Sequence, residues 1–317
     1  MRLGLIYTLR HPELDSPGAP ADRWDDADTP DTHVAIAATL GALGHDVAVQ
    51  IDTALAPLSA FQGLAGCDLA LSLAVGWRGR DREAQVPAIL EALGIPYLGS
   101  PPLAAALCLN KAASKRVLRS GGVPTPAFDL GRAPHGARYP LFVKPNDEGS
   151  SKGLLADSRV NSPRELAAEA ARVEAAYGEP ALVEAYVPGR ELCTAILGNR
   201  LLPVLEVAMP PRGFSIAADK EDLWRSLPVT CPADVPPVLA RRLHTLTSRA
   251  CSLLGVRHMA RLDFRWDGAG DPQLIDINPL PTLRPGGSFF EVMARAAGLD
   301  YPALWTALLE AAAPSRA

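Results

Sequence analysis

The spacing of apolar residues in the first third of the chain predicts alternating strands and helices. Strands are predicted at Leu3–Tyr7, Asp46–Ile51, Asp68–Leu73 and Ile95–Leu98, and helices at His33–Leu43 and Arg82–Leu93. Both helices stop at a glycine, which is the residue that most easily adopts the left-handed conformation after a helix. Strand–helix repetition with short turns is typical of a parallel α/β sheet. The polar, proline-rich stretch Leu9–Asp31 interrupts this pattern and is predicted to be a long loop.

The remaining two thirds of the chain have a different pattern, in which strands come in hairpin-like pairs. Strands are predicted at Tyr139–Pro145, Ala181–Val187, Leu192–Leu197, Leu201–Val207, Ala260–Trp266 and Gln273–Asn278. Four helices are predicted at Asn110–Ser120, Val235–Leu254, Phe290–Ala297 and Tyr301–Ala312. A fifth is predicted to begin with a capping box at Ser162. The pattern therefore predicts a parallel α/β unit in the first third of the chain, followed by a mixture of helices and strands that includes two antiparallel pairs; the resemblance described below implies that this second part forms α+β units.

Composition and charge narrow the class of protein. The chain has 317 residues, 48% of them hydrophobic and 21% charged, with a formal net charge of -4. This balance argues against a general binder of nucleic acid or of anionic membranes. The five cysteines are widely spread and form no paired motif, and neither a signal peptide nor a membrane span is recognisable. We therefore expect a cytoplasmic protein with no nucleic-acid or membrane partner.

The strongest local signal for chemistry lies on the last two predicted strands. Residues two apart on a strand face the same side, so Arg261 shares a face with Asp263, and Asp276 shares a face with Asn278. If the strands pair as a hairpin, three oxygen-bearing side chains converge beside an arginine. Such hard ligands suit Mg²⁺. A solvated polar face with salt bridges is the alternative interpretation.

Two further segments carry weaker signals. Lys144 ends a strand and is followed by a Gly/Ser-rich turn, Asn146–Gly153, whose N–H groups and hydroxyls could bind phosphate. An ordinary flexible turn is the alternative. Glu184 and Glu191 lie at the two ends of a strand–turn unit, where plain surface carboxylates are the default interpretation.

Taken together and in this order, these segments resemble the ATP-grasp superfamily and, within it, the D-alanine–D-alanine ligase group. The resemblance covers nearly the whole chain. It rests on Asn110-Lys111, Gly122–Pro126, Phe142–Gly153, Glu184–Glu191, Cys231–Ala233, Arg261–Phe264 and Asp276–Pro281. It implies an N-terminal α/β domain over residues 1–107, a central ATP-grasp subdomain with a phosphate lid over 108–187, and a C-terminal subdomain with the metal site over 188–317.

The resemblance also implies a role for each matching residue, with ATP and Mg²⁺, or Mn²⁺ in its place, as cofactors. Three residues would hold the metal ions, namely Asp263, Asp276 and Asn278. The nucleotide would contact Lys111, Lys144, Gly149, Gly153, Glu184, Ala185, Val187, Glu191 and Lys220. Ser150 and Ser151 would lie near the reacting group, and Arg261 would stabilise the tetrahedral intermediate. The reaction implied is ligation of a carboxylate to an amine through an acyl phosphate, by a homodimer.

Several residues depart from the family pattern, and most of these changes fall on the amino-acid pocket. Asp276 stands where glutamate is usual, Thr282 where glycine is usual, and Glu221 where tyrosine is expected. The early Ser–Glu–x–x–Val–Ser element is missing from Leu9–Asp31, and a His-Gly pair is replaced around Ala74–Trp77. We therefore expect the ATP-dependent reaction to be kept and the substrate to differ from D-alanine.

Other interpretations stay open at this stage. D-alanine–D-alanine ligase in peptidoglycan synthesis is the first alternative, and a catalytically degenerate nucleotide-binding regulatory protein is the second. The arginine-rich stretch Arg78–Glu83 is predicted either to face the substrate cleft, where arginine forks could bind a carboxylate, or to form a solvated loop. Trp77 and Trp224 could line a larger pocket or could simply pack.

Overall fold

The strands of the chain form three sheets in the computed structural model, which describes residues 1–76, 78–214 and 228–313. The first sheet is parallel and has the strand order β2-β1-β3-β4. Its strands are β1 (Arg2–Tyr7), β2 (Asp46–Asp52), β3 (Leu69–Ser72) and β4 (Tyr97–Leu98), with helices α1 (Pro30–Ala42) and α2 (Gln85–Ala92) between them. The predicted parallel α/β unit is therefore confirmed. The helix predicted from Arg82 begins as a 3-10 turn, Arg82–Ala84.

The second sheet is antiparallel and occupies the middle of the chain. Its order is β5-β8-β6-β7, and its strands are β5 (Phe128–Leu130), β6 (Leu141–Lys144), β7 (Arg159–Val160) and β8 (Leu182–Ala185). Helix α5 (Pro163–Tyr177) packs on β6, and the predicted cap is present. The Ser162 hydroxyl accepts a hydrogen bond from the Glu165 N–H, and the Glu165 carboxylate accepts one from the Asn161 N–H.

The third sheet is antiparallel and carries the residues of the predicted metal site. Its order is β12-β11-β9-β13-β14, with β10 also paired to β9. The strands are β9 (Arg190–Leu197), β10 (Arg200–Leu201), β11 (Leu205–Val207), β12 (Val229–Thr230), β13 (Met259–Trp266) and β14 (Gln273–Asn278). Both hairpins expected from the sequence are present, because β9 pairs with β10 and β11, and β13 pairs with β14.

Helices from the middle of the chain pack on the third sheet. These are α3 (Pro102–Leu109), α4 (Lys111–Ser120) and α6 (Pro237–Leu254). Cys108 and Leu118 lie in the same apolar cluster as Leu243 of α6 and Phe264 of β13. This packing places the N-terminal end of α4, with Lys111, beside strand β14.

The last two helices join the first sheet to the third. Residues of α7 (Phe289–Ala296) and α8 (Tyr301–Ala312) share one apolar cluster with strands β1, β3, β9 and β11. Trp305 is completely buried in it. One continuous core thus joins the first and third sheets, while the second sheet has an apolar cluster of its own. Among the described helices, none combines the length and the apolar character that crossing a bilayer requires.

Candidate active site

The hairpin β13–β14 brings the predicted metal ligands onto one face. Asp263 lies directly opposite Asp276, and Arg261 lies opposite Asn278. The register shifts immediately after Asp263, as it does in bulges, which often occur next to active sites. Residues directly opposite on antiparallel strands have Cβ atoms about 5 Å apart, so the two carboxylates can share one ligand.

The charges on this face are balanced by cations. Arg261 forms a fork to Asp263, with Nε–Oδ1 at 2.8 Å and Nη2–Oδ2 at 2.9 Å. Burial disfavours the charge of Arg261, but Asp263 outweighs this effect and raises the pKa of the guanidinium. The Lys111 Nζ lies 3.6 Å from Asp276 Oδ1. The two carboxylates of the hairpin therefore lie beside the positive charges of Arg261 and Lys111.

The donor set fits a hard divalent cation. Two carboxylates and the amide of Asn278 supply oxygen atoms, which are the ligands that Mg²⁺ prefers. The Asn278 Oδ1 accepts the Leu280 N–H at 2.8 Å, and this bond fixes the direction of the amide. In the part of the chain that the structure describes, no group of three or more His, Cys, Asp or Glu side chains is placed to hold a metal. A metal here would rest on two carboxylates, the amide and ligands from the substrate.

The turn after β6, residues Asn146–Gly153, has the backbone shape of an anion-binding loop, and we call it the phosphate turn. Ser150 and Ser151 both adopt left-handed conformations, with φ of 53° and 57°. Such conformations are costly for residues other than glycine and persist at functional sites. Lys111 donates from Nζ to the carbonyl of Glu148. The turn is therefore held over the metal face by a lysine of α4.

A cavity of about 850 Å³ runs between the second and third sheets, under the phosphate turn. Its walls combine apolar and aromatic side chains with charged groups. The lining includes Phe142, Leu154, Tyr186, Val187, Phe214 and Ile275 together with Lys111, Lys144, Glu148, Lys152, Glu184, Glu191, Asp263, Arg265 and Asp276. This is the arrangement expected for a nucleotide, with a flat apolar slot at one end and phosphate-binding cations at the other.

Glu184 is the buried acid of this cavity. Its carboxylate lies 2.7 Å from Lys144 Nζ and 3.0 Å from Lys115 Nζ. Burial alone would raise the pKa of Glu184, but the two lysines outweigh it and lower that pKa. Burial also lowers the pKa of Lys115, to about 8. Lys144, predicted to bind phosphate, is thus held by Glu184 at the wall of the cavity.

The strand end after Glu184 has part of its backbone already engaged. The Ala185 N–H donates to Ala127 O at 2.8 Å, and the Val187 carbonyl accepts from Arg265 Nε at 3.1 Å. Arg265 also reaches Glu191, with Nη1–Oε2 at 3.2 Å. Ala185 and Val187, which the resemblance predicts to contact the nucleotide, therefore line the cavity, and the Ala185 N–H and the Val187 carbonyl fix their position.

A second cavity, of about 1090 Å³, lies on the other side of the metal face. It contains Arg261, Asn278, Thr282 and Glu83. Six residues line both cavities, namely Lys111, Gly149, Ser151, Glu191, Asp263 and Asp276. The nucleotide cavity and this substrate cavity therefore meet at the predicted metal ligands.

A smaller recess of about 330 Å³ shares four lining residues with the substrate cavity, namely Asp26, Val75, Leu280 and Thr282. Its other walls are Asp28, Thr32, Ile36, Leu73, Pro281 and Leu283. Burial raises the pKa of Asp28 to about 7, and Arg284 offsets this only in part. Burial likewise raises the pKa of Glu83 to about 7 against the nearby Arg82. The substrate side thus combines aliphatic side chains with charged ones, and burial leaves the carboxyl groups of Asp28 and Glu83 poorly solvated.

Most of the predicted site residues meet at these cavities, and a few do not. Lys220, Glu221 and Trp224, as well as Trp77, lie outside the described residues. Arg78 is exposed, while Arg82 points to the phosphate turn rather than to a substrate carboxylate. Sequence reasoning missed Asp22, Asp26 and Lys152 because their contacts span more than 120 positions.

Comparison with known proteins agrees with this geometry. The family model described as the D-ala D-ala ligase C-terminus matches residues 130–310, more than half of the chain. A D-alanine–D-alanine ligase of Nitratidesulfovibrio vulgaris is 37% identical over 277 residues, covering 86% of this chain and 88% of that protein. An uncharacterised protein of Sinorhizobium fredii, y4sG, is 34% identical over 256 residues, covering 77% and 74%.

A solved structure extends the match to the whole fold. The crystal structure of D-alanine–D-alanine ligase from Bacillus anthracis complexed with ATP superposes with a TM-score of 0.76, at 23% identity, over 98% of this chain and 97% of that one. Its three-part architecture is that of the ATP-grasp fold. Family model, relatives and fold agree, and the chain belongs to the D-alanine–D-alanine ligase family of ATP-dependent, ADP-forming ligases.

Proposed function

We propose that this chain uses Mg-ATP to phosphorylate a substrate carboxylate and then joins the acyl group to an amine. The observation that supports it is the shared wall of the two cavities, where Asp263 faces Asp276 beside Arg261. A γ-phosphoryl group entering from the nucleotide cavity meets a carboxylate entering from the substrate cavity at this wall. ADP leaves after the first step, and the amine displaces inorganic phosphate in the second.

Each predicted residue then has a task that its position supports. Magnesium ions held by Asp263, Asp276 and Asn278 would supply charge neutralisation for the transferred phosphoryl group. Arg261, released from its fork with Asp263, stabilises the oxyanion that forms when the amine attacks. The phosphate turn, with Ser150 and Ser151, covers the acyl phosphate and keeps water away.

The nucleotide-binding tasks follow from the lining of the first cavity. Lys111 and Lys144 reach the phosphates, and Glu184 accepts from the adenine amino group. The backbone of Ala185 and Val187 borders the base, and Glu191 accepts from the ribose hydroxyls. Gly149 lets the turn approach the phosphates closely. Gly153 is outside the cavity lining and Lys220 is outside the described residues, and for both the proposal rests on the resemblance alone.

We propose further that the acid substrate is not D-alanine but a different amino-acid-like molecule. Thr282 adds a methyl and a hydroxyl to the wall between the substrate cavity and the recess that contains Asp28. The recess combines aliphatic walls with the carboxyl groups of Asp26 and Asp28, which suits a group with an apolar body and a cationic or hydrogen-bond-donating end. D-alanine is the second candidate, because relatives of 35–37% identity bear the name D-alanine–D-alanine ligase.

ADP release measured with Mg-ATP and a panel of amino acids and amines tests both proposals. We expect release that depends on an acid–amine pair and exceeds the rate with D-alanine alone. A rate with D-alanine that equals or exceeds every other pair would overturn the substrate proposal. Tight ATP binding without ADP release for any pair would contradict the ligase proposal and favour the regulatory alternative.

We also propose a homodimer in the reducing cytoplasm, as in the prediction from sequence. The five cysteines are all free, and three of them are buried, which is compatible with a reducing compartment. Light scattering of the purified chain tests the oligomer, and a monomer at micromolar concentration would contradict it.

A further inference from the structure

The N-terminal loop before α1 makes a buried ion network with the phosphate turn. Asp26 Oδ2 lies 2.7 Å from Arg82 Nη2 and 2.9 Å from Lys152 Nζ. Glu148 Oε2 lies 2.8 Å from the same Arg82 nitrogen and 2.6 Å from Lys152 Nζ. Two acids and two bases therefore alternate, with Glu148 and Lys152 on the turn, Asp26 on the loop and Arg82 on the first domain.

The four side chains of the network are largely buried, so each charge needs an opposite charge beside it. Side-chain exposure is 3% for Lys152, 9% for Asp26, 12% for Arg82 and 18% for Glu148. A buried charge that loses its partner is strongly unfavourable, so each member depends on the others. Lys152 Nζ also donates to the carbonyl of Arg23, at 3.2 Å. The lysine of the turn is thus inserted between two residues of the loop.

A second contact ties the end of the turn to the same loop. The Gly153 N–H donates to Asp22 Oδ2 at 2.6 Å, and the Tyr177 hydroxyl donates to both oxygens of that carboxylate at 2.8 Å. Tyr177 ends helix α5, so Asp22 holds the turn against the element that follows it. The two aspartates of the loop therefore bind adjacent residues of the turn, Asp26 through Lys152 and Asp22 through Gly153.

We propose that Asp22 and Asp26 are positioning residues, which latch the phosphate turn in its closed form over the reacting phosphoryl group. The inference rests on the proposed function, since closure matters where an acyl phosphate must be shielded. Ser150 and Ser151 line the substrate cavity immediately before the two latched residues. Holding Lys152 and Gly153 fixes both serines. The loop Leu9–Asp31 thus acts on the reaction through the turn, by way of Asp22 and Asp26.

The charge state of the latch agrees with this role. Burial would raise the pKa of Asp26, but Lys152 and Arg82 outweigh it and lower that pKa. Asp26 is therefore ionised wherever the enzyme is folded near neutral pH. Opening of the turn separates Lys152 from Asp26, and the ion pair favours the closed form while Asp26 stays buried beside Arg82.

Hydrogen exchange of the turn tests the latch without needing the substrate. We compare wild type with Asp26→Asn, Asp22→Asn and the matched control Asp31→Asn, an exposed aspartate on the first turn of α1. The probe condition is the full chain with Mg²⁺ and the ATP analogue AMP-PNP. We expect amides 147–154 to exchange about tenfold faster in the two latch variants, while those of β9 and β13 stay unchanged. Unchanged exchange at 147–154 in both variants overturns the proposal.

The double variant Asp26→Asn/Lys152→Met separates positioning from simple stability. It removes both members of one pair, so thermal stability should recover towards wild type while exchange of the turn stays fast. Recovery of slow exchange together with stability would overturn the latch. Where a substrate pair is found, Asp22→Asn should lower kcat and raise the ratio of phosphate released to amide formed, with KM for the acid little changed, because Asp22 lies outside the lining of the substrate cavity and of the recess. ADP release absent from every variant, with the exchange result as expected, rejects the ligase function and leaves the latch standing.

Discussion

At the scale of single residues, substitution of Asp263 is the most direct test of the proposed chemistry. It faces Asp276 across the hairpin and holds Arg261 in a two-bond fork. Asp263→Asn keeps the shape and one hydrogen-bond acceptor but removes the charge that would bind metal. We expect kcat to fall by about 100-fold or more, with the far-UV circular dichroism unchanged. Asp267→Asn, on the exposed loop of the same hairpin, is the control, and near-wild-type turnover of Asp263→Asn would remove Asp263 from the metal site.

The buried carboxyl group of Asp28, in the recess, should make the stability of the fold depend on pH. Its pKa is about 7 in the folded chain, because burial disfavours the carboxylate, and about 3.9 when unfolded. Between these values the folded state binds more protons, so stability falls as pH rises and levels off above about pH 7. Asparagine cannot ionise. We expect the melting temperature of Asp28→Asn to exceed that of wild type at pH 8 and the gap to shrink by pH 4. A gap independent of pH would show that Asp28 is solvated.

At the scale of secondary-structure elements, the phosphate turn depends on one glycine. Gly153 has φ of 72°, and an added Cβ would lie 2.5 Å from Pro145 Cγ and 2.9 Å from Tyr177 Cε2. Gly153→Ala should therefore destabilise the fold by about 1–3 kcal/mol in urea unfolding. Gly149 lies in the same turn, without a positive φ and with open space at its Cβ, so Gly149→Ala should change stability by under about 1 kcal/mol. Equal losses in the two variants would contradict this reasoning.

Elements were also the level at which the sequence was most informative. The period-two pattern predicted the hairpin β13–β14, and the structure confirms that all four polar side chains share its face. The cap at Ser162 and the glycine ends of helices are local signals, and they too were confirmed. Helix α3 was missed because Pro102–Leu109 is apolar on all sides and so has no amphipathic period.

At the scale of the whole molecule, the sequence could not reveal how distant segments meet. Asp26 of the N-terminal loop forms an ion pair with Lys152 of the phosphate turn. Lys111 of α4 forms another with Asp276 of strand β14. Neither contact leaves a periodic trace, because each is a single pair of charges separated by more than a hundred positions. The resemblance to a family supplied the order of the nucleotide motifs. The loop Leu9–Asp31 departs from the family pattern, so its contacts with the phosphate turn became visible only in the structure.

The common core of the first and third sheets makes stability a property of the whole chain. Trp305 is fully buried in the cluster that joins β1 and β3 to β9 and β11 through α7 and α8. Because both sheets pack around it, Trp305→Ala should lower the free energy of unfolding by about 3–5 kcal/mol. Trp305→Phe is the matched control. It keeps an aromatic ring and removes an indole N–H that has no hydrogen-bond partner in the described structure, so its loss should be clearly smaller. Since the two sheets frame the cleft, ATP affinity should fall in Trp305→Ala and be retained in Trp305→Phe. A loss below about 1 kcal/mol for the alanine variant would mean that the terminal helices do not hold the sheets together.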